Sequence, residues 1–575
     1  METYKALNPR GESESTEKAM GLNPRLNEKD LSKMTLGLFA GFKRHWLSVV
    51  EETGKQLQER YPGLKVKSFW YPEDMNSYNP VADIGKDDRH WDNFKKFLDG
   101  CDAVIAGSGD GGSCTLQLTF CSSYVEKLGK PLVIMVQNEF EGVLKTAADF
   151  RGIPAIRYVV HDIPDLAYLD KVDKPIYLQN VLPQKVAAVL DDVVDRLTAP
   201  LTPEETEPKK KQELPRILIE GSLEEVNKFF YQRYLSYGMP IIPPTEEAVN
   251  RMMEGTDLPP DHVVGLIPPK RSKATVEKIA INAVMAGCLP THMPVLIAAI
   301  EAVLSPNLWM EAFTVSAASW APMYIVNGPV RNDIDISCKV GVLSPYNRAN
   351  AAIANAMGLM VMNLGGVRRG FEDRGVFGHE GHFGIMIGEN EEESPWEPWH
   401  QTRGFDKNDS TVTVMFPNSR ELLLLDMDPT HILRTVCERA HYMGFDPGCT
   451  FLICPEAAQT LTDGGYSKQS FLEYVVEYAR RPAREINSQW MIDNNHLMPG
   501  MVLPATPDVT VKKFFSDRHL LPIVTGMSYG NAICMYGGGG DHGQPVSAKV
   551  QLPRNWSKLV EQYKDYVHFE ESDIW

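Results

Sequence analysis

Between Thr35 and Leu197, short apolar runs alternate with amphipathic stretches, and no other feature limits the fold of this chain so much. The runs TLGLFA (35–40), VKSFW (66–70), AVIA (103–106) and PLVIMV (131–136) have strand length and are separated by segments long enough for helices. Helices are expected from His45 to about Tyr61, from Trp91 to Leu98, after Cys114, and from Gln184 to Leu197. In the last of these, Val186, Val189, Leu190, Val193, Val194 and Leu197 share one face. Repetition of strand and helix gives a parallel sheet covered on both sides, so the expected class is α/β, with a Rossmann-like or flavodoxin-like domain over 34–197.

The 575 residues are too many for one ordinary core. Residues 1–33 read as a polar leader, because TLGLFA is the first apolar run. Residues 198–213 (TAPLTPEETEPKKKQE) hold three prolines and seven charged residues and read as an exposed linker. Residues 214–575 are expected to form a larger α+β domain. Val276, Ile279, Ala280, Ala283 and Val284 recur at helical spacing, 294–304 is apolar nearly all round, and 350–362 resembles it. MYIVNGPV, TVTVMF, ELLLL and TFLIC look like strands.

A net charge of −17, with no basic stretch interleaved with aromatics, argues against nucleic acid as a partner. The longest apolar runs, such as 293–300, fall far short of the ~20 residues that span a bilayer, and the polar start lacks the apolar centre of a secretory signal. The expected location is the cytoplasm, with no membrane partner. Nine cysteines without regular spacing read as reduced thiols.

The densest chemical signal is CDAVIAGSGDGGSCTLQ (101–117). A strand runs into Gly107, Gly109, Asp110, Gly111 and Gly112 and then into a helix, so Ser113 and Cys114 fall at the helix start. The unpaired N–H groups and the helix dipole there favour a thiolate, and the glycines let a substrate approach the backbone. A phosphate-cradling or merely tight turn with a packed cysteine is the other reading of the same residues. Cys121, about two turns further along, roughly 10 Å at helical rise, is too far away to pair with Cys114 and is expected in the core.

DAVIAGSGDGGSCT, followed by a helix and KPLVIMVQNEF, resembles the UGSC family, whose motif is selenocysteine or cysteine followed by Gly-Ser-Cys. More distantly it is similar to the selenoprotein B components of glycine and betaine reductases. Cys114 matches the last cysteine of the motif, and Gly111 stands at the selenocysteine position. A cysteine beside a glycine cannot cycle through an internal bond, so the resemblance leaves Cys114 as nucleophile, covalent anchor or proton donor. The segments GMPIIPPTEEAVNRMM, VEKIAINAVMAGCLPTHMPVLIAAIEAVL, IVNGPVRNDIDI, NRANAAIANAM and GENEEESPWEPWH resemble the long form of the same family.

Within these segments Asn327 and Arg331 follow a strand, Arg348 and Asn350 open a helix, and Glu397 stands among prolines and tryptophans. With Gly109, Asp110, Gly111, Gly112 and Glu139 they are the expected substrate contacts, the arginines suiting a carboxylate or phosphate. A structural ion pair is the alternative for each arginine. MAGCLPTHMP puts Cys288 and His292 in the break between two helices. GHEGHFG offers His379 and His382, but at a spacing unlike the i, i+4 pair of a helical zinc site; His542, next to Asp541 in GGGGDHGQ, is a third weak candidate.

The reading that results is a homo-oligomeric, thiol-dependent lyase, transferase or reductase-type enzyme with its active site between two domains. Cys114, with Ser113, acts on a small polar, anionic substrate, and a carbon–sulfur or carbon–nitrogen bond is made or broken. No organic cofactor is implied. Two alternatives remain: a metal-dependent lyase or hydrolase using His379 and His382, and a non-catalytic binding or scaffold subunit.

Overall fold

A computed structural model of the chain describes residues 2–13, 19–40, 45–70, 89–109, 111–166, 169, 173–208, 215–306, 308, 310–443, 448–482, 510–514, 516–528, 530–539 and 544–567. A short strand, β1 (Tyr4–Leu7), precedes five that build one sheet: β2 (Thr35–Ala40), β3 (Lys65–Trp70), β4 (Ala103–Gly109), β5 (Leu132–Gln137) and β6 (Tyr158–His161). The order is β3-β2-β4-β5-β6, with every pair parallel. Relative to chain order this is the 2-1-3-4-5 arrangement of flavodoxin-like sheets, and the chain reverses direction across the sheet between β2 and β4. Ligands of such sheets sit beyond the carboxyl ends of the strands at that point.

Side chains alternate between the two faces of the sheet. Leu36, Leu38, Ile105, Val133 and Met135 pack under the helices Trp46–Arg60 and Leu182–Thr198. Phe39, Val104, Ala106, Ile134 and Val136 pack under Arg89–Asp99, Gly112–Lys127 and Glu141–Phe150. Each face therefore has its own core, as the near-continuous apolar runs require. The sequence pattern did not announce the helix Glu141–Phe150 or β6, which has only four residues.

The rest of the chain is the expected mixture of helices and sheets. Strand β7 (Ile217–Gly221) pairs with β1, and β8 (Val263–Ile267) forms a hairpin with β9 (Ser272–Thr275). Then come β10 (Met323–Asn327), β11 (Ile385–Gly388), β12 (Thr411–Met415), β13 (Pro417–Leu424) and β14 (Cys449–Ile453). A small pair follows, β15 (Arg480–Pro482) and β16 (Thr510–Lys512), and then β17 (Leu520–Val524), β18 (Ala532–Gly538) and β19 (Val546–Lys549).

Two four-stranded sheets result, ordered β11-β10-β12-β19 and β13-β18-β14-β17. Between them Met323, Ile325 and Met415 meet Leu452, Leu521, Ile523 and Tyr536. The outward residues of the first sheet, Tyr324, Val326, Val412 and Val414, pack under the helices Val276–Met285, Met293–Val303 and Arg348–Asn363. Those of the second, Phe451, Ile453, Val524 and Met535, pack under Pro429–Ala440, Pro455–Asp463 and Lys468–Tyr478. The layers run helix, sheet, sheet, helix.

Both connecting segments carry more structure than their composition suggests; of the expected linker, residues 209–213 lie outside the described residues. Residues 1–33 are not simply a leader: β1 is hydrogen-bonded to β7, Ala6 and Leu7 are buried, and the Lys278 ammonium donates to the Asn8 carbonyl. Further on, Leu22 and Leu31 are buried, and Arg25 forms a buried ion pair with Glu126 at 2.8 Å. The segment thus touches both the two-sheet region and the parallel-sheet unit. Its apolar residues occur singly and find partners distant in the chain, so it lacks a periodic signature. In the expected linker, Pro203–Thr206 form a helical turn capped by Thr202. Glu205 of that turn pairs with the buried Arg157 at 2.8 Å, which pulls its carboxyl down to about 2.

Candidate functional site

The chemistry-bearing turn lies where the sheet topology puts ligands. Strand β4 ends at Gly109, and the helix Gly112–Lys127 begins three residues later with an extended Gly111 as its cap. Cys114 is the third residue of that helix, so its N–H is among the first-turn donors without an intrahelical partner. Cys114 is half-buried, while the other eight cysteines, Cys121 included, are buried. Burial pushes up the thiols of Cys101, Cys288, Cys338, Cys437, Cys449 and Cys534, with Cys437 reaching about 12.

The glycines have different jobs. A Cβ on Gly112 would stand 1.7 Å from the Val315 carbonyl oxygen and 3.4 Å from the Cβ of Arg374, so only glycine lets the two regions close here. A Cβ on Gly109 would stand 2.1 Å from Thr115 Oγ1. Gly111 is under no such pressure: a Cβ there would meet only Cys114 Sγ, at 3.9 Å. Asp110 lies outside the described residues.

A cavity of about 1450 Å³ opens between the parallel-sheet unit and the two-sheet region. Glu139 and Phe140, just after β5, line one side; most of the opposite wall is the segment 367–384, with Tyr231, Tyr234, Tyr237 and Trp320. Arg374, in that wall, lies with its guanidinium 5.4 Å from the Phe140 ring centroid and donates to the Gly370 carbonyl. Arg368 forms a fork with Glu372 at 2.9 and 2.6 Å, and Thr146 of the parallel-sheet unit donates to the same carboxylate at 2.7 Å. Cys114 is not among the lining residues; its turn reaches the cavity wall through Gly112 and Arg374.

Both histidines of GHEGHFG line this cavity. His379 Nδ1 accepts from the Gly381 N–H at 2.8 Å, and burial lowers the ring's pKa, so the neutral form with its proton on Nε2 is favoured. His382 has Nε2 3.3 Å from the Trp320 carbonyl and Nδ1 3.6 Å from Asp373. Among the described residues no three His, Cys, Asp or Glu side chains are grouped as metal ligands; His542 and Asp541 lie outside them.

The structure does not bring the other expected contacts to this cavity. Asn327 is buried and donates to Glu389 at 2.6 Å and to Glu391 at 3.0 Å. Arg331 is buried against Glu391 and Glu392 and donates to the Glu389 carbonyl. Asn350 ties Ser337 to Met386, and Arg348 donates to the Gly287 carbonyl. Glu397 is exposed rather than clamped. These polar groups serve the region's own architecture, since buried charges and amides persist only when they are paired. Cys288 and His292 are likewise buried; His292 Nδ1 accepts from the Leu289 N–H, and burial pushes its pKa down to about 3.

Sequence reasoning singled out His379 and His382 of this wall only as weak metal candidates and missed the preceding VRRGFEDRGVF. The wall's signal was the interleaving of glycine with arginine and histidine, of the kind that marks a ligand-hugging loop. Gly370, Gly378 and Gly384 take positive φ there, which keeps the chain irregular beside the cavity.

Residues 5–199 match the family model of the UGSC family. Over this stretch the chain is similar to the UGSC family. The UGSC region runs from β1 through the helix that ends at Thr198, and so holds the whole parallel sheet and the Cys114 turn. No curated protein matches the chain. One solved structure with a partial likeness is FerB, a flavoenzyme NAD(P)H:(acceptor) oxidoreductase from Paracoccus denitrificans. It is 16% identical over 28% of this chain and 98% of its own, with a TM-score of 0.17, too slight to bear on function. No described helix is long and apolar enough to cross a membrane.

Proposed function

We propose that this chain is an enzyme in which the Cys114 thiolate attacks or holds an anionic substrate lodged at the carboxyl edge of the parallel sheet. The sulfur lone pair forms a bond to an electrophilic carbon. The bond from that carbon to a sulfur or nitrogen substituent breaks with its electrons, and the departing thiol or amine carries away the proton lost by Cys114. Release requires an acceptor thiol or amine to displace Cys114 in the reverse sense, which makes the reaction a transfer. Amides of the first helical turn, Gly112 to Cys114, suit the negative charge that develops beside the sulfur.

One observation carries this reading. Arg374 both lines the cavity and stands against Gly112, so the cysteine turn and the cavity share a wall at the place where such sheets bind ligands. The reaction class itself leans on the resemblance to the UGSC family.

Incubation with a fractionated metabolite extract, followed by intact-mass measurement and peptide mapping, tests it. The expected result is an added mass on the Cys114 peptide of the wild-type protein and none on Cys114→Ser. An adduct on another cysteine, or the same adduct on the serine variant, would overturn the proposal.

A further inference from the structure

The cavity is larger and more aromatic than a small polar molecule needs. Ligand pockets usually enclose about 300–1,000 Å³, against about 1450 Å³ here. Tyr231, Tyr234, Trp320 and Phe377 all line it, and Tyr231 and Phe377 are strongly exposed, Phe377 at 96%. Apolar rings left in water beside a deep opening mark a surface that a ligand covers.

The charges of the wall are disposed unequally. Arg368 is held by Glu372, and Arg374 by the Gly370 carbonyl and the Phe140 ring. Asp373 accepts from the Gly375 N–H and faces His382. Among the described residues Arg369 has no carboxylate partner; it is exposed on the same wall. His379 adds an uncharged donor, because Nδ1 is occupied by the Gly381 N–H and the proton sits on Nε2. The remaining carboxylates of the lining, Glu139 and Glu380, stand on exposed positions.

We propose that the cavity binds a molecule with a planar, aromatic-sized body and an anionic group. The body lies among Tyr231, Tyr234, Trp320 and Phe377, and Arg369 grips the anion while the His379 Nε2–H serves a ligand oxygen. A guanidinium fits because it pairs with a carboxylate or phosphate in a fork and also stacks on flat rings. The inference rests on the reading that this cavity serves Cys114, and it replaces the small polar substrate of that reading with a larger one.

The test uses the full chain and two dyes of nearly the same body: 8-anilinonaphthalene-1-sulfonate, which carries an anion, and N-phenyl-1-naphthylamine, which does not. Fluorescence titration is expected to show saturable binding of the sulfonate at one site per chain. Arg369→Gln should weaken it about tenfold or more and change the uncharged dye less than about twofold. Phe377→Ala should weaken both dyes. Equal binding of the sulfonate by wild type and Arg369→Gln, or full competition by inorganic sulfate at the concentration of the dye, would overturn the two-part ligand. A separate readout concerns the cysteine: saturating sulfonate dye should slow alkylation of Cys114 by iodoacetamide. If Arg369 governs dye binding but alkylation keeps its rate, the ligand class stands and the link to Cys114 falls.

Discussion

Two charge-rich stretches of the second region, 367–384 and 389–400, follow one another in the chain and end in opposite states. In the later one the Glu389 carboxylate is completely buried and takes three partners: the Lys468 ammonium at 3.1 Å, the Asn327 amide at 2.6 Å and the Trp399 N–H at 2.7 Å. Arg331 is locked in the same network. In the earlier stretch the arginines stand at a cavity, two of them, Arg369 and Arg374, without a carboxylate partner among the described residues, and His379 lines the same cavity with its Nδ1 taken by the Gly381 N–H. Similar residue types thus do different work. A charge enclosed by its neighbours holds the fold together; a charge left at a cavity is available to a ligand.

The largest effect expected from this contrast is on stability. Glu389→Ala would leave Lys468 buried without its partner, orphan the Trp399 N–H and leave the Asn327 amide with Glu391 alone. A loss of about 3–5 kcal/mol is expected, seen as a lower denaturation midpoint in urea. Arg369→Gln, at the cavity, should stay within about 0.5 kcal/mol of wild type in the same assay. Comparable losses in the two variants would erase the distinction.

Histidines sharpen it in a second way. His161 is buried, accepts from the Ile163 N–H at 3.2 Å, and is pushed by burial down to about 4. Unfolded, the ring takes a proton below about pH 6.5; folded, it stays neutral until about pH 4. Its contribution is therefore complete above pH 6.5 and fades as pH falls through that window, by about 3 kcal/mol in all. His161→Phe should flatten the fall of stability between pH 6.5 and 4. A wild-type profile level across that window would contradict the buried neutral ring.

The smallest effect is expected at Gly111. Its φ of −165° is extended backbone open to any residue, and its nearest neighbour for a Cβ is Cys114 Sγ at 3.9 Å. Gly111→Cys should change stability by less than about 0.5 kcal/mol and form a disulfide with Cys114 on mild oxidation, read as the loss of both thiols in a thiol titration. Persistence of both thiols would mean that the turn does not present the pair.

Much of the parallel-sheet unit was legible because its central strands β2, β4 and β5 are buried on both faces and the helix Leu182–Thr198 on one. TLGLFA and PLVIMV therefore stand out as runs, and Val186 to Leu197 as a face. The Cys114 turn was legible as a turn, since glycines clustered between a strand and a helix mark a sharp change of direction. The structure of residues 2–13 and 19–33 was not, because their few buried apolar residues follow no period, and Ala6, Leu7 and Leu22 find their partners far along the chain. The substrate contacts went astray at Arg331 and Asn327. Whether an arginine faces a ligand or a glutamate depends on partners some sixty positions away, and local pattern carries no record of them.

The most direct measurement is competitive alkylation. With iodoacetamide limiting at neutral pH and the nine cysteines resolved by peptide mapping, Cys114 should be labelled first, well ahead of the rest. It is the half-buried thiol at a helix start, whereas the other eight are buried. If Cys121, Cys288 or any other buried cysteine is labelled before it, or if all nine react together only as the protein unfolds, Cys114 is not the reactive centre of this fold.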